Sequence, residues 1–178
     1  LAVLGACEAA GADLARCALA LADIRPPSGR GVRHKLSKDG ISVTLIDESY
    51  NANPASMRAA LQMLATAEPA GRGRRVAVIG DMLELGVHAK GLHEGLAGPL
   101  VEAGADKVYA CGEHMTALWK VLPGDMHGAY AATSQELIEP LLGSIQSGDV
   151  IMVKGSLGSK MGPVVKAVLD RYGGNAGG

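Results

Sequence analysis

Phenylalanine is absent from this 178-residue chain, and aromatic residues make up only 3% of it. With 48% hydrophobic residues the chain can still bury a core, but one built from Ala, Val, Leu, Ile and Met. Excess charge is lacking too: 17 basic against 18 acidic side chains leave a net charge of -1. That balance argues against nucleic acid or an anionic membrane as a partner. No apolar run reaches the roughly 18 residues a membrane span needs. The opening LAVLGACEAAGADLARC has no basic leader and carries Glu8 and Asp13, so it does not read as a signal peptide. It also lacks an initiator Met, which predicts a piece of something longer. Cysteine is scarce as well: Cys7, Cys17 and Cys111 are odd in number and include no CxxC pair. A disulfide framework and a zinc site are thereby disfavoured, a reducing cytoplasm fits, and each thiol reads as a small buried hydrophobe.

Several catalytic signatures are missing. No GxGxxG follows any predicted strand, which disfavours a dinucleotide-binding domain. In GSLGSKMG, Ser159 separates Gly158 from Lys160 and Met161 follows, so this is not the GxxxxGK[ST] phosphate loop. HExxH is absent, and His88 and His93 are five apart, on different faces of a helix. No GxSxG elbow exists, so nucleophilic catalysis has no support. Neither a metal site nor a catalytic residue is predicted.

What is present is a regular alternation. Residues 1–24 read as helix, broken near Gly11 with Asp13 as a second N-cap. Two such helices cannot bury their own apolar faces, which marks them as the remnant of another domain. The stretch IRPPSGRG, 24–31, reads as a linker. VRHKLS and ISVTLI then flank an Asp-Gly turn and predict a β-hairpin. From there apolar runs alternate with helices: PASMRAALQMLATA, RRVAVIG, one glycine-weakened helix over HAKGLHEGLAGPLVEAG, KVYACG, EHMTALWKVL, MHGAYA, SQELIEPLLGSI with a possible kink at Pro140, DVIMVKG and KMGPVVKAVLDRY. GGNAGG at the end is expected to be disordered. The expected fold is α/β: a Rossmann-like three-layer domain with a mostly parallel sheet and an N-terminal hairpin, over 32–178, after a helical remnant and linker over 1–31.

Ligands of open parallel sheets bind beyond the carboxyl ends of the strands. Three polar clusters fall there: DESYNAN (Asp47, Glu48, Asn51 and Asn53 among them), GDMLELG (with Asp81 and Glu84) and KGSLGSKMG (Lys154, Gly155, Ser156). In the first, one Asn suffices to cap the helix that Pro54 opens, yet five polar groups are supplied. A carboxylate accepts from ribose hydroxyls, and an amide pairs with an adenine edge or a peptide-like substrate. The third cluster reads equally as an anion-binding glycine loop or as a turn capped by Ser159. Three clusters on one edge favour a shared cleft for a hydroxyl- and amide-bearing ligand.

DESYNANPASM, GDMLELG and VKGS, in this order and spacing and with Gly29-Arg30 before the hairpin, resemble the C-terminal part of the Mur ligases. SYNANP is the mark of the branch that joins D-alanyl-D-alanine to UDP-MurNAc-tripeptide with ATP, through an acyl phosphate. The resemblance implies a Rossmann-like domain that closes over ATP and helps to hold the incoming dipeptide. It implies that the phosphate loop, the Mg2+ ligands and a modified lysine lie in a central domain, of which 1–31 resembles only the last helices. Carried over, Arg30 approaches the ATP phosphates. Asp47 or Glu48 contacts ribose, and Asn51 and Asn53 face the nucleotide. Asp81, Glu84, Lys154, Gly155 and Ser156 belong to the pocket for the incoming substrate. Relatives commonly have Asp where this chain has Glu48, which leaves open which carboxylate meets the ribose. Another amide ligase of the superfamily, or a non-catalytic binding module with merely capped loops, are the alternatives.

Overall fold

The computed structural model describes residues 2–22 and 27–173. Two helices come first, α1 (Ala2–Ala9) and α2 (Leu14–Ala22), parted at Gly11. Asp13 caps the second as expected, its Oδ1 accepting from the N–H groups of Ala15 and Arg16 at 2.9 and 3.2 Å. No side chain of α1 is buried, and Cys7 and Cys17 are only half-buried; of the three thiols, Cys111 alone is the buried hydrophobe that the sequence suggests. Residues 24–26 of the predicted linker, residue 23 before them and most of the GGNAGG tail (174–178) lie outside the described residues.

The hairpin forms as predicted. Strands β1 (Val32–Lys38) and β2 (Ile41–Glu48) pair antiparallel, and a two-residue loop joins Lys38 to Ile41. Asp39 and Gly40 both have positive φ, 53° and 79°, the pair of left-handed residues that a type I′ turn requires. Helix α3 (Pro54–Ala65) follows, burying Met57, Ala60, Leu61 and Leu64 at helical spacing. Then come β3 (Arg75–Gly80), α4 (Ala89–Glu94), α5 (Ala97–Glu102), β4 (Lys107–Cys111), α6 (Met115–Val121), β5 (His127–Ala131), α7 (Ser134–Ser144), β6 (Val150–Lys154) and α8 (Gly162–Tyr172).

The predicted single helix over 88–104 is in fact two. Pro99 has no N–H for the carbonyl of Gly95, and its ring would strike that carbonyl in a continuous helix, so the chain breaks between Glu94 and Ala97. Helix α7, by contrast, runs through Pro140 as one element.

Among the described residues six strands form one sheet in the order β1-β2-β6-β3-β4-β5, parallel except for β1. Central β6 is buried throughout, whereas edge strand β1 alternates half-buried and exposed residues. Alternate side chains feed two cores. Ile46, Ala77, Ile79, Val108 and Met152 meet α3, α5 and α6 on one face; Leu45, Val78, Cys111, Ile151 and Val153 meet α7 and α8 on the other. Each fully buried Leu, Ile or Met contributes about 1.5–3 kcal/mol, so aliphatic burial replaces the missing phenylalanines. Adjacent strands β3 and β6 send their following helices to opposite faces, which opens a crevice at their carboxyl ends.

Candidate functional site

The three polar clusters meet at that crevice. Glu48 and Lys154 end neighbouring strands in register. The Lys154 ammonium, 2% exposed, lies 3.2 Å from Glu48 Oε2 and donates to the Asn51 carbonyl at 2.9 Å. A buried ammonium requires such partners, because an unpaired charge in this environment is expensive. Lys154 therefore fixes the β2–α3 loop and keeps the Glu48 carboxylate, 18% exposed, at the edge of the sheet.

Asp47 sits beside it in another role. Its side chain is buried, and three donors occupy it: the Gly29 N–H on Oδ2 at 2.9 Å, and the Ser49 N–H and hydroxyl on Oδ1 at 3.1 and 2.6 Å. The turn before β1 is thus stapled to the end of β2, and the Tyr50 N–H donates to Gly29 O at 3.1 Å. Gly29 takes a φ of 78°, and a Cβ there would lie 2.8 Å from that of Tyr50, so no other residue fits. Arg30 leaves this turn and lays its guanidinium over the Tyr50 ring, 4.3 Å from the centroid.

Asn53 is the N-cap of α3. Its Oδ1 accepts from Ser56 N–H at 2.8 Å while the Ser56 hydroxyl accepts from Asn53 N–H at 3.0 Å, a reciprocal capping box. The side chain of Asn51, two residues earlier and exposed, accepts through Oδ1 from the adjacent Ala52 N–H at 2.8 Å.

Ser156 knits the other loops together. Its hydroxyl donates to Ala52 O at 3.3 Å and accepts from Leu83 N–H at 2.9 Å. Its own N–H donates to Asp81 O at 3.1 Å. Gly155 packs so closely that a Cβ would lie 2.6 Å from Met161 Cγ. The Asp81 carboxylate turns away from this loop and caps α6, accepting from His114 and Met115 N–H at 3.2 and 2.9 Å. His93 Nε2 is 3.9 Å from Asp81, but this is no ion pair. Its Nε2 accepts from Met82 N–H at 3.0 Å, and burial lowers the imidazole pKa, so the ring is neutral with its proton on Nδ1, facing Ala89 O. Glu84 projects from a left-handed backbone, φ 63°, onto the exposed rim. Asn51, Asn53, Glu84, Ser156 and Leu157 share a cleft of about 390 Å³.

All ten predicted residues thus stand on one edge, though not alike. Glu48, Asn51, Asn53, Glu84 and Arg30 present side chains outward or at the rim, whereas Asp47, Asp81, Lys154 and Ser156 are buried supports. Sequence reasoning missed two features. One is Tyr50 as a platform for Arg30, signalled only by an exposed aromatic in a polar loop. The other is Lys160, which adopts φ 53° and borders a second cleft of about 300 Å³ with Asp81, Gly112 and Thr133. Among the described residues no three His, Cys, Asp or Glu side chains gather in a way that could hold a metal ion.

The family model described as "Mur ligase, glutamate ligase domain" matches residues 33–157. The UDP-N-acetylmuramoyl-tripeptide–D-alanyl-D-alanine ligase of Rickettsia prowazekii is 34% identical over 155 residues, covering 87% of this chain and 33% of that protein. A crystal structure of MurF from Acinetobacter baumannii superposes with a TM-score of 0.75 at 28% identity, over 91% of this chain and 35% of the other. The MurF ligase from Thermotoga maritima, solved in complex with ADP, shares the fold with a TM-score of 0.73 at 24% identity, over 92% and 35%. The chain thus spans about a third of the length of the relatives it matches. With a shared fold and the family match over most of the chain, this protein belongs to the Mur ligase family, through its glutamate ligase domain.

Proposed function

We propose that this domain serves an ATP-dependent ligase that adds D-alanyl-D-alanine to UDP-MurNAc-tripeptide, a step of cytoplasmic peptidoglycan precursor synthesis. The observation that carries the proposal is the convergence of DESYNAN, GDMLELG and KGSLGSKMG on one sheet edge, with Arg30 stacked on Tyr50 of the first. The names of the relatives, each a UDP-N-acetylmuramoyl-tripeptide–D-alanyl-D-alanine ligase, supply the substrate pair. In this reading residues 1–31 belong with a central ATPase domain, and 32–178 form the closing domain.

Nucleotide fits the groups at the crevice: a cation beside an exposed aromatic, a partly exposed carboxylate and two amides. Arg30 meets the phosphates. Glu48 takes the ribose hydroxyls, since the Asp47 oxygens are already occupied by Gly29 and Ser49 donors. Asn51 and Asn53 face the nucleotide with their amide groups. Glu84 and the Gly155–Ser156 backbone border the place of the incoming dipeptide, and Lys154 and Asp81 hold those loops in position. ATP supplies the phosphoryl group that activates the tripeptide carboxyl. Mg2+ ligands are assigned to the central domain. This domain contributes placement of the reactants, the part of catalysis that arises from proximity and fixed polar groups.

Amide NMR of the chain during addition of ATP and of D-Ala-D-Ala tests the assignment. Shifts confined to 30, 47–53, 81–86 and 154–160 are expected. Shifts elsewhere, with these loops silent at millimolar ligand, would refute it.

A further inference from the structure

The Arg30 side chain is exposed, and a long side chain of this kind has many rotamers open to it when nothing holds it. Its backbone sits in a turn held at four points: Gly29 N–H on Asp47, Tyr50 N–H on Gly29 O, Gly31 N–H on Asp47 O at 2.8 Å, and Arg30 N–H on Pro27 O at 3.1 Å. Gly29 and Gly31 both take left-handed φ, 78° and 88°, and a Cβ on either would meet Tyr50 or Glu48, at 2.8 and 3.0 Å respectively. The turn and the DESYNAN loop therefore interlock. On that frame the Tyr50 ring, 45% exposed, lies under the guanidinium.

We propose that Tyr50 is a positioning residue for Arg30: its ring holds the guanidinium in one orientation before nucleotide arrives. The inference rests on the assignment of Arg30 to the ATP phosphates. A Tyr face suits this task better than a carboxylate would. It orients a planar cation without neutralising it, so the charge stays available to an anion. Binding to a pre-set guanidinium avoids part of the ordering cost that a mobile side chain would impose at each encounter. The Tyr50 hydroxyl plays no part in the stacking, which predicts that Phe serves at this position and an aliphatic residue does not.

The test has two readouts, on the chain and on the intact ligase that carries it. In the chain, the Arg30 δ and ε protons should show upfield ring-current shifts that persist in Tyr50→Phe and vanish in Tyr50→Leu. In the ligase, Tyr50→Leu should raise KM for ATP about two- to fivefold, with KM for D-Ala-D-Ala and the melting temperature unchanged, and Tyr50→Phe should restore the wild-type value. Tyr50→Leu should have no further effect when Arg30→Ala is already present. If Arg30→Ala raises KM for ATP and Tyr50→Leu does not, the positioning role is wrong while the phosphate assignment stands. If Arg30→Ala itself leaves the ATP parameters unchanged, the phosphate assignment fails, and the role built on it fails with it. Equal losses in Tyr50→Phe and Tyr50→Leu would overturn the stacking in favour of the hydroxyl.

Discussion

Lys154 and Glu48 close the ends of neighbouring parallel strands as a nearly buried ion pair, 3.2 Å apart, with the Asn51 carbonyl as a third member. The pair ties the DESYNAN loop to β6, and its energetics are testable. Lys154→Ala leaves a partly buried carboxylate and a carbonyl without their partner. The loss expected is about 3 kcal/mol, or a drop of roughly 6–12 °C in melting temperature. The double variant Lys154→Met with Glu48→Gln should recover more than half of it. Urea denaturation midpoints of the three proteins measure this, and equal losses in single and double variants would remove the pair from the account.

Asn53 combines two tasks that substitution can separate. Asn53→Ala removes the capping box of α3 and should cost about 1 kcal/mol. Asn53→Ser retains an oxygen acceptor and should restore stability. If Asn53 also faces the nucleotide, Asn53→Ser in the intact ligase should still raise KM for ATP. Normal kinetics in a stable Asn53→Ser ligase would make this residue a cap alone.

How far the sequence disclosed the site follows from what each residue does. The sheet, the hairpin and the crevice were legible because apolar runs, an Asp-Gly turn and strand-end polar clusters are local signals. Asn53 was legible as a cap because Pro54 marks a helix start. The division between outward-facing and supporting residues was not legible. Lys154 and Glu84 look alike in sequence as charged residues at or just past a strand end, and only pairing across strands separates a buried clamp from an exposed rim. Asp47 and Glu48 are adjacent in a strand and so point to opposite faces, but which meets the preceding turn depends on a contact 18 residues away. The break before α5 rests on the missing N–H of Pro99, a single absent donor within a run whose apolar spacing otherwise suits one helix.

His93 gives a pH dependence. Its folded pKa lies below the usual 6.5 because burial disfavours the charged ring. Between that lowered pKa and 6.5 the unfolded chain binds a proton that the folded one does not, so stability falls as pH drops through this window. Denaturation at pH 7.5 and 5.5 should show the loss, and His93→Gln should flatten the part due to this residue. An unchanged slope in His93→Gln would contradict the buried neutral assignment.

The thiols should divide two to one. Burial pushes the Cys111 pKa up to about 12, leaving almost no thiolate at neutral pH, while Cys7 and Cys17 are half-exposed. A thiol reagent at pH 8 should modify two cysteines in the native chain and three in denaturant. Rapid native modification of Cys111 would show that its strand end opens.

Phosphate release tests the proposed division of labour between this domain and the rest of a D-alanyl-D-alanine-adding ligase. With ATP, Mg2+ and UDP-MurNAc-tripeptide, the intact ligase carrying this domain should release phosphate steadily with D-Ala-D-Ala. It should not do so with D-Glu or a diamino acid, and the 178-residue chain alone should release none. Turnover by the chain alone, or a preference for another acceptor, would contradict the account.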